Sequence, residues 1–257
     1  MKTKIYINGI GSISAQEIKE LFEEKVIRYN QNIIPAVSPD FKKHIPAMQL
    51  RRMSKGIKMG LTAAKTALED ADVEVPDVVI TGTGQGSKID TEKFLQEMLD
   101  REEETLSPTS FIQSTHNTIG GQIALNLACK GYNMTYSQNS ASLESALIDS
   151  LLFLQEDSEN TVLVGGVDEI SEKITSFQVL DGQVKSEAID NLQLLNSSTP
   201  GTIISEGAHF LTISAESTAN SYAELVDVSV VNSEDPKTVS EKIQQFLLKN
   251  NRSLKQI

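Results

Sequence analysis

Two apolar runs with glycine at or near their C-terminal ends constrain this chain more than any other feature. Residues 75–81 form a continuous run opened by Pro76 and closed by Gly82, and residues 161–167, TVLVGGV, form a second. A strand whose apolar residues fall at consecutive rather than alternate positions is covered on both faces. Around these runs the period changes. Over residues 53–71, apolar side chains recur at Ile57, Leu61, Ala64 and Leu68, and residues 142–155 are strongly apolar, both as expected of helices. Further strand signals fall at 4–10, 133–138, 207–215 and 223–231, and further helix signals at 15–24, 90–104, 118–129 and within 233–257. Strands alternating with helices specify an α/β fold, with a mostly parallel sheet and helices on both faces.

Glycines mark the junctions. Gly9 and Gly11 close the first strand, and Gly131 suits a left-handed cap on the 118–129 helix. The Gly82, Gly84, Gly86 turn lacks the spacing and the Lys-Ser/Thr pair of a phosphate loop, so it reads as a strand-to-helix connection. Residues 29–50, broken by Pro35, Pro39 and Pro46, and residues 171–203 carry little regular signal.

A chain of 257 residues can bury one large core or two modest ones. Its formal charge of −12, from 35 acidic and 23 basic residues, repels nucleic acid and anionic membranes, so neither is expected as a partner. A local basic group, Lys42, Lys43, Arg51, Arg52 and Lys55, can still govern docking of an acidic protein. The longest apolar runs, such as residues 151–154, are far too short to span a bilayer. The opening MKTKIYINGIGSIS has no long apolar stretch and reads as the first strand. A single cysteine, Cys129, excludes an internal disulfide framework and fits a reducing compartment, with the cytoplasm expected.

Six segments in order resemble β-ketoacyl synthases: INGIGSIS at 7–14, RRMSKGIKMGLTAAKTALEDA at 51–71, VVITGTGQGS at 78–87, SPTSFIQSTHNTIGGQIALNLACKG at 107–131, VLVGGVDEI at 162–170 and ISEGAHFLTIS at 204–214. The wording Thr115-His116-Asn117 is most similar to divergent synthase-like proteins of aryl-polyene and related polyketide clusters. The resemblance implies the N-terminal half of a thiolase-like fold, a five-stranded mixed sheet between helical layers. It covers residues 1–232. Residues 233–257 then read as the start of a second, truncated thiolase half, or as the end of one half of a split protein.

The family's reaction needs a cysteine thiolate at a helix N-terminus and two histidines from the second half. The resemblance places Ser140 at the nucleophile position, or Ala141 if the register slips by one. Neither is cysteine, and a serine hydroxyl is far less acidic than a thiol, so an inactive site with Ser140 capping the following helix is expected. Cys129 ends a helix, where a thiolate is disfavoured. His44 is expected in solvent and His209 packed inside a buried strand. His116 and Asn117 open a helix, where they would cap it, line an acyl channel or meet a partner. Asp168 and Glu169 have no companions at ligand spacing, so no metal is expected, and no cofactor. The resemblance implies a β-ketoacyl synthase-like protein of fatty-acid or polyketide synthesis, acting as a non-catalytic subunit like a chain-length factor. Its implied partners are an acyl carrier protein and either a catalytic ketosynthase subunit or a second copy in a homodimer. The competing readings are a degenerate acyltransferase or decarboxylase completed by another chain, and an interaction domain with no acyl role.

Overall fold

The computed structural model describes residues 3–16 and 26–256. The helix expected at 15–24 falls largely outside that set. The strands are β1 (Tyr6–Ile13), β2 (Ile33–Ile34), β3 (Val78–Gly82), β4 (Asn133–Tyr136), β5 (Val162–Asp168), β6 (Ile204–Ser205), β7 (Gly207–Ser214) and β8 (Ala223–Glu224). The helices are α1 (Ala47–Leu50), α2 (Lys55–Asp70), α3 (Lys88–Asp100), α4 (Pro108–Ser114), α5 (Thr118–Asn126), α6 (Ser142–Glu156), α7 (Glu172–Leu180) and α8 (Pro236–Lys249).

One sheet has the order β4-β3-β5-β7-β1-β8, and β2 pairs with β6 apart from it. Six strands stand where five were expected, because β8 adds a two-residue pairing to β1 through Tyr6↔Glu224 and Ile7↔Ala223. The mostly parallel pattern is also corrected. β4, β3 and β5 are parallel, but β7 runs antiparallel to both β5 and β1. The strand signal over 223–231 stops at Glu224, and the valines at 226, 230 and 231 are exposed.

One face of the sheet carries α2 and α5, and the other carries α6. Ser54 caps α2 by accepting from the Ile57 amide, and ten of the helix's sixteen residues are buried. The glycines of β1 explain how closely α2 lies. A Cβ on Gly9 would sit 2.1 Å from the Ala67 carbonyl oxygen, and one on Gly11 would sit 1.9 Å from that of Ala63. The strand thus offers bare backbone to a helix face of alanines, and the Thr212 hydroxyl donates to the Ala67 carbonyl at 2.9 Å. Around this contact Ile57, Leu61, Val79, Ile123, Leu163 and Phe210 form the larger core. The smaller core under α6 joins Ile80, Ala146, Leu154, Val164 and Ile213. Each such side chain contributes about 1.5–3 kcal/mol on burial.

Three local expectations are revised. The left-handed residue after α5 is Ala128 (φ 56°), not Gly131. Gly131 is needed for a close approach instead, since its Cβ would lie 2.0 Å from the Asp77 carbonyl oxygen. The 171–203 segment holds the nine-residue helix α7. His44 is buried, with Nδ1 3.1 Å from Glu69 Oε1, and burial holds its pKa below the ordinary histidine value.

Candidate functional site

The C-terminal ends of β3 and β5, the start of β7 and the residue after β1 meet at one edge of the sheet, where α/β proteins bind ligands. A single register row crosses five of the six strands there: Tyr136, Gly82, Gly166, His209, Ser12. The two glycines form a lane for the first turn of α6. A Cβ on Gly82 would lie 2.6 Å from the Ser142 carbonyl carbon, and one on Gly166 would meet Leu143 Cβ at 3.7 Å. Beside that turn opens a cleft of about 270 Å³ whose lining includes Ser14, Ser140, Leu143, Asp168, Glu206 and His209.

Ser140 lies in the 3-10 turn Asn139–Ala141 that runs into α6, directly after Asn139, whose φ is 50°. Its side chain is exposed and makes no hydrogen bond to the described residues. It therefore does not cap α6, contrary to expectation. Ser142 does the anchoring two residues later: its hydroxyl accepts from the Gln138 amide at 2.8 Å and lies 2.9 Å from the Thr83 carbonyl and 2.7 Å from that of Asn139. Ala141 occupies the same turn and carries no polar group. Cys129 sits by the Asp77 carbonyl at the far end of β3, roughly 16 Å of strand away from Gly82.

His209 is the residue that sequence reasoning misplaced. It is not packed in the core. Its Nδ1 lies 2.6 Å from Ser12 Oγ, while desolvation by the cleft walls keeps its pKa below the ordinary histidine value. Although much of the residue's surface reaches solvent, the ring lies deep enough for desolvation to dominate. The period of β7 could have revealed this. Ala208, Phe210 and Thr212 are buried toward α2, so His209 belongs with Leu211 and Ile213 on the α6 face.

Buried acids hold the loops around the cleft. Asp168 accepts from the Gly84 amide at 2.9 Å and the Thr83 hydroxyl at 3.1 Å, and Thr83 in turn accepts from the Gly86 amide at 2.9 Å. Gly86 (φ 66°) supports His116, whose Cα would be 3.1 Å from a Cβ there. His116 and Asn117 are exposed beside the cleft and not in its lining, and Asn117 begins α5 without a side-chain cap bond. Glu169 accepts from the Gly56 amide at 2.8 Å and the Ile89 amide at 2.9 Å, so one carboxylate joins the N-termini of α2 and α3. Burial pushes its pKa up to about 7 against those two donors. Glu206 accepts from the Ala36 amide at 3.0 Å, the Ile170 amide at 3.1 Å and the Lys55 ammonium. Lys88 is buried facing Asp168 and Glu169, and desolvation lowers its pKa in spite of them. Among the described residues no group of three His, Cys, Asp or Glu side chains could hold a metal ion.

The fold is an open, mixed α/β sheet with helices on both faces. Residues 28–254 match the model of the β-ketoacyl synthase N-terminal domain, and the chain belongs to that family. Among curated relatives, 3-oxoacyl-[acyl-carrier-protein] synthase 2 of Staphylococcus aureus (strain N315) is 24% identical over 205 residues, covering 73% of this chain and 49% of that protein. The chain thus spans about half the length of the curated relatives it matches. Among solved structures, the ishigamide ketosynthase/chain length factor superposes with a TM-score of 0.68 at 16% identity, over 83% of this chain and 59% of the other. The ketosynthase ApeO in complex with its chain length factor ApeC, from Xenorhabdus doucetiae, matches with a TM-score of 0.58 at 17% identity, over 82% and 79%. No helix among the described residues is long and apolar enough to cross a membrane.

Proposed function

We infer that this chain serves fatty-acid or polyketide synthesis as a chain-length-factor-like subunit that does not itself condense acyl units. The observation that carries this reading is the turn before α6. It carries Ser140, which the resemblance sets at the position of the family's thiolate (Ala141 if the register slips by one), and the chain's one thiol, Cys129, lies at the opposite end of the sheet. A serine at that place cannot store an acyl chain as a thioester.

Residues 1–232 act as the synthase-like N-terminal domain, and residues 233–257 begin a second half. In support, α8 buries only Leu247. The partner is a catalytic ketosynthase subunit or a second copy, consistent with the ketosynthase–chain length factor pairs among the structural neighbours. An acyl carrier protein is the natural acidic ligand. Of the basic group near α1, Lys42, Arg51 and Arg52 stay exposed for it, whereas Lys43 faces Glu69 and Lys55 is held by Glu206. His116 and Asn117, exposed beside the cleft, would line the acyl channel or the partner contact. The cytoplasm suits the single reduced cysteine.

The test is condensation of acyl- and malonyl-carrier-protein thioesters, assayed for ketoacyl product. The chain alone should yield none, and a catalytic ketosynthase subunit added to it should yield product whose length depends on this chain. Product from the chain alone that disappears in Ser140→Ala would overturn the reading.

A further inference from the structure

The ends of two helices carry opposite charge on exposed apolar surface. After α3, the run Glu102, Glu103 and Glu104 lies exposed, and Leu95 and Leu99 stand bare on the last two turns of the helix. Leu99 is 76% exposed. The three carboxylates make no hydrogen bond or ion pair with a described residue. Like charges stand side by side there, at the helix end where the backbone dipole is itself negative. Arg101, the one cation between residues 100 and 107, is engaged by the Thr105 carbonyl at 2.7 Å. Glu102 and Glu103 are held at φ 51° and 67°, a region that side chains other than glycine rarely enter. Among the described residues nothing relieves this crowding of charge.

The end of α8 carries the reverse arrangement. Residues 236–257 hold five basic side chains, Lys237, Lys242, Lys249, Arg252 and Lys255, against the single acid Glu241. That segment is therefore +4 in a chain of −12, and the rest of the chain is −16. Lys249 is taken by Asp227 at 2.8 Å, whereas Lys237, Lys242, Arg252 and Lys255 pair with no described acid. Leu248, 73% exposed, and the exposed Leu254 lie on either side of Arg252 in the sequence. One helix end thus shows two bare leucines among carboxylates, and the other shows two bare leucines among cations.

We propose that the acidic end of α3 is the docking surface for the basic end of α8 on a second copy of this chain. In the contact Leu95 and Leu99 meet Leu248 and Leu254, and the three carboxylates face Arg252 and Lys255. Burial of the leucines supplies affinity, while the opposed charges set the register and speed the encounter. No ion pair joins the two surfaces within one copy, and the surfaces differ, so the contact runs head to tail. Such a contact leaves a free end on each copy, and mass climbs with concentration until a ring closes. The inference goes beyond the acyl reading and does not rest on it, since association is measured without a thioester and stands or falls apart from condensation.

The experiment is sedimentation velocity of the full chain over a range of concentrations, at low and at high salt. Wild-type mass should climb with concentration at low salt. It should fall back as salt shortens the screening length from about 10 Å at 0.1 M to about 3 Å at 1 M. One variant reverses the acidic end with Glu102→Lys, Glu103→Lys and Glu104→Lys together. The other reverses the basic end with Arg252→Glu and Lys255→Glu. Each alone should associate on the order of 100-fold more weakly. Mixing the two should restore association, because lysines then face glutamates across one contact, and the mixture should stop at one copy of each. Leu99→Ser leaves every charge in place and should also weaken association, with circular dichroism confirming the fold of each variant. A wild-type mass that is constant with concentration, reversed variants that associate as the wild type does, or a mixture no heavier than its components would each overturn the proposal.

Discussion

The two faces of the sheet are built differently. On the α2 face, glycine backbone meets alanine backbone, and the contact is sealed by buried isoleucine, leucine and phenylalanine. On the other face α6 covers β3, β5 and part of β7, with Leu225 and Val228 packed at the margin, while Ile10 is exposed and Leu211 only half-buried. The first face is sealed by packing and the second is left open beside the Ser140 turn. The difference teaches where each face tolerates change. Added atoms have no room on the α2 side, and polar chemistry has room only on the α6 side.

The strongest way to break this contrast is to add a methyl group to each face. Gly11→Ala puts a Cβ 1.9 Å from the Ala63 carbonyl oxygen and must displace α2, at about 2–3 kcal/mol. Gly166→Ala meets nothing closer than 3.7 Å and should change stability by less than about 1 kcal/mol. Urea midpoints of the two variants compare them directly, and equal losses would mean that the faces are equally tight.

The next effect is on pH. The Glu169 pKa is raised from 4.5 to about 7, so the folded state holds a proton that the unfolded state has released. Its contribution is full below about pH 4.5 and is lost as pH rises through 7, on the order of 3 kcal/mol. Asp168 and Asp90, also raised by burial, push in the same direction. Urea titrations between pH 5 and pH 7.5 should show stability falling with pH, and Glu169→Gln should flatten the slope. A slope unchanged in that variant would remove Glu169 from the account.

The smallest effects separate two serines of the open face. Ser142→Ala removes the acceptor for the Gln138 amide and should cost about 1 kcal/mol. Ser140→Ala removes no hydrogen bond among the described residues and should stay within about 0.5 kcal/mol. Thermal unfolding of both decides it, and a reversed order would return the cap to Ser140.

The strands and long helices were legible because their periods are strong and their burial nearly complete, as in residues 78–82 and 55–70. The site was legible only in part. The α6 turn was located, but a 3-10 turn inserted ahead of the helix moved the anchoring serine from 140 to 142. His44 looked solvent-exposed among prolines and lysines, yet it is buried against the α2 side chain Glu69, a contact that local composition cannot reveal. His209 was misread because a strand covered on both faces was assumed along its whole length. At its cleft end β7 is covered on one face only. Glu206 and Glu169 went unrecognised as ties because four of their partners are backbone amides, which leave no mark in a sequence, and Lys55 lies 151 residues from Glu206.

The glycine lane has a consequence for how such a protein can change over generations. Where α6 meets Gly82, main chain rests on main chain, and the Ser142 hydroxyl fastens the turn beside it. The exposed side chain at position 140 takes part in neither contact, so it can be exchanged without moving the platform that presents it. The architecture can therefore outlast one chemistry and be handed, intact, to another.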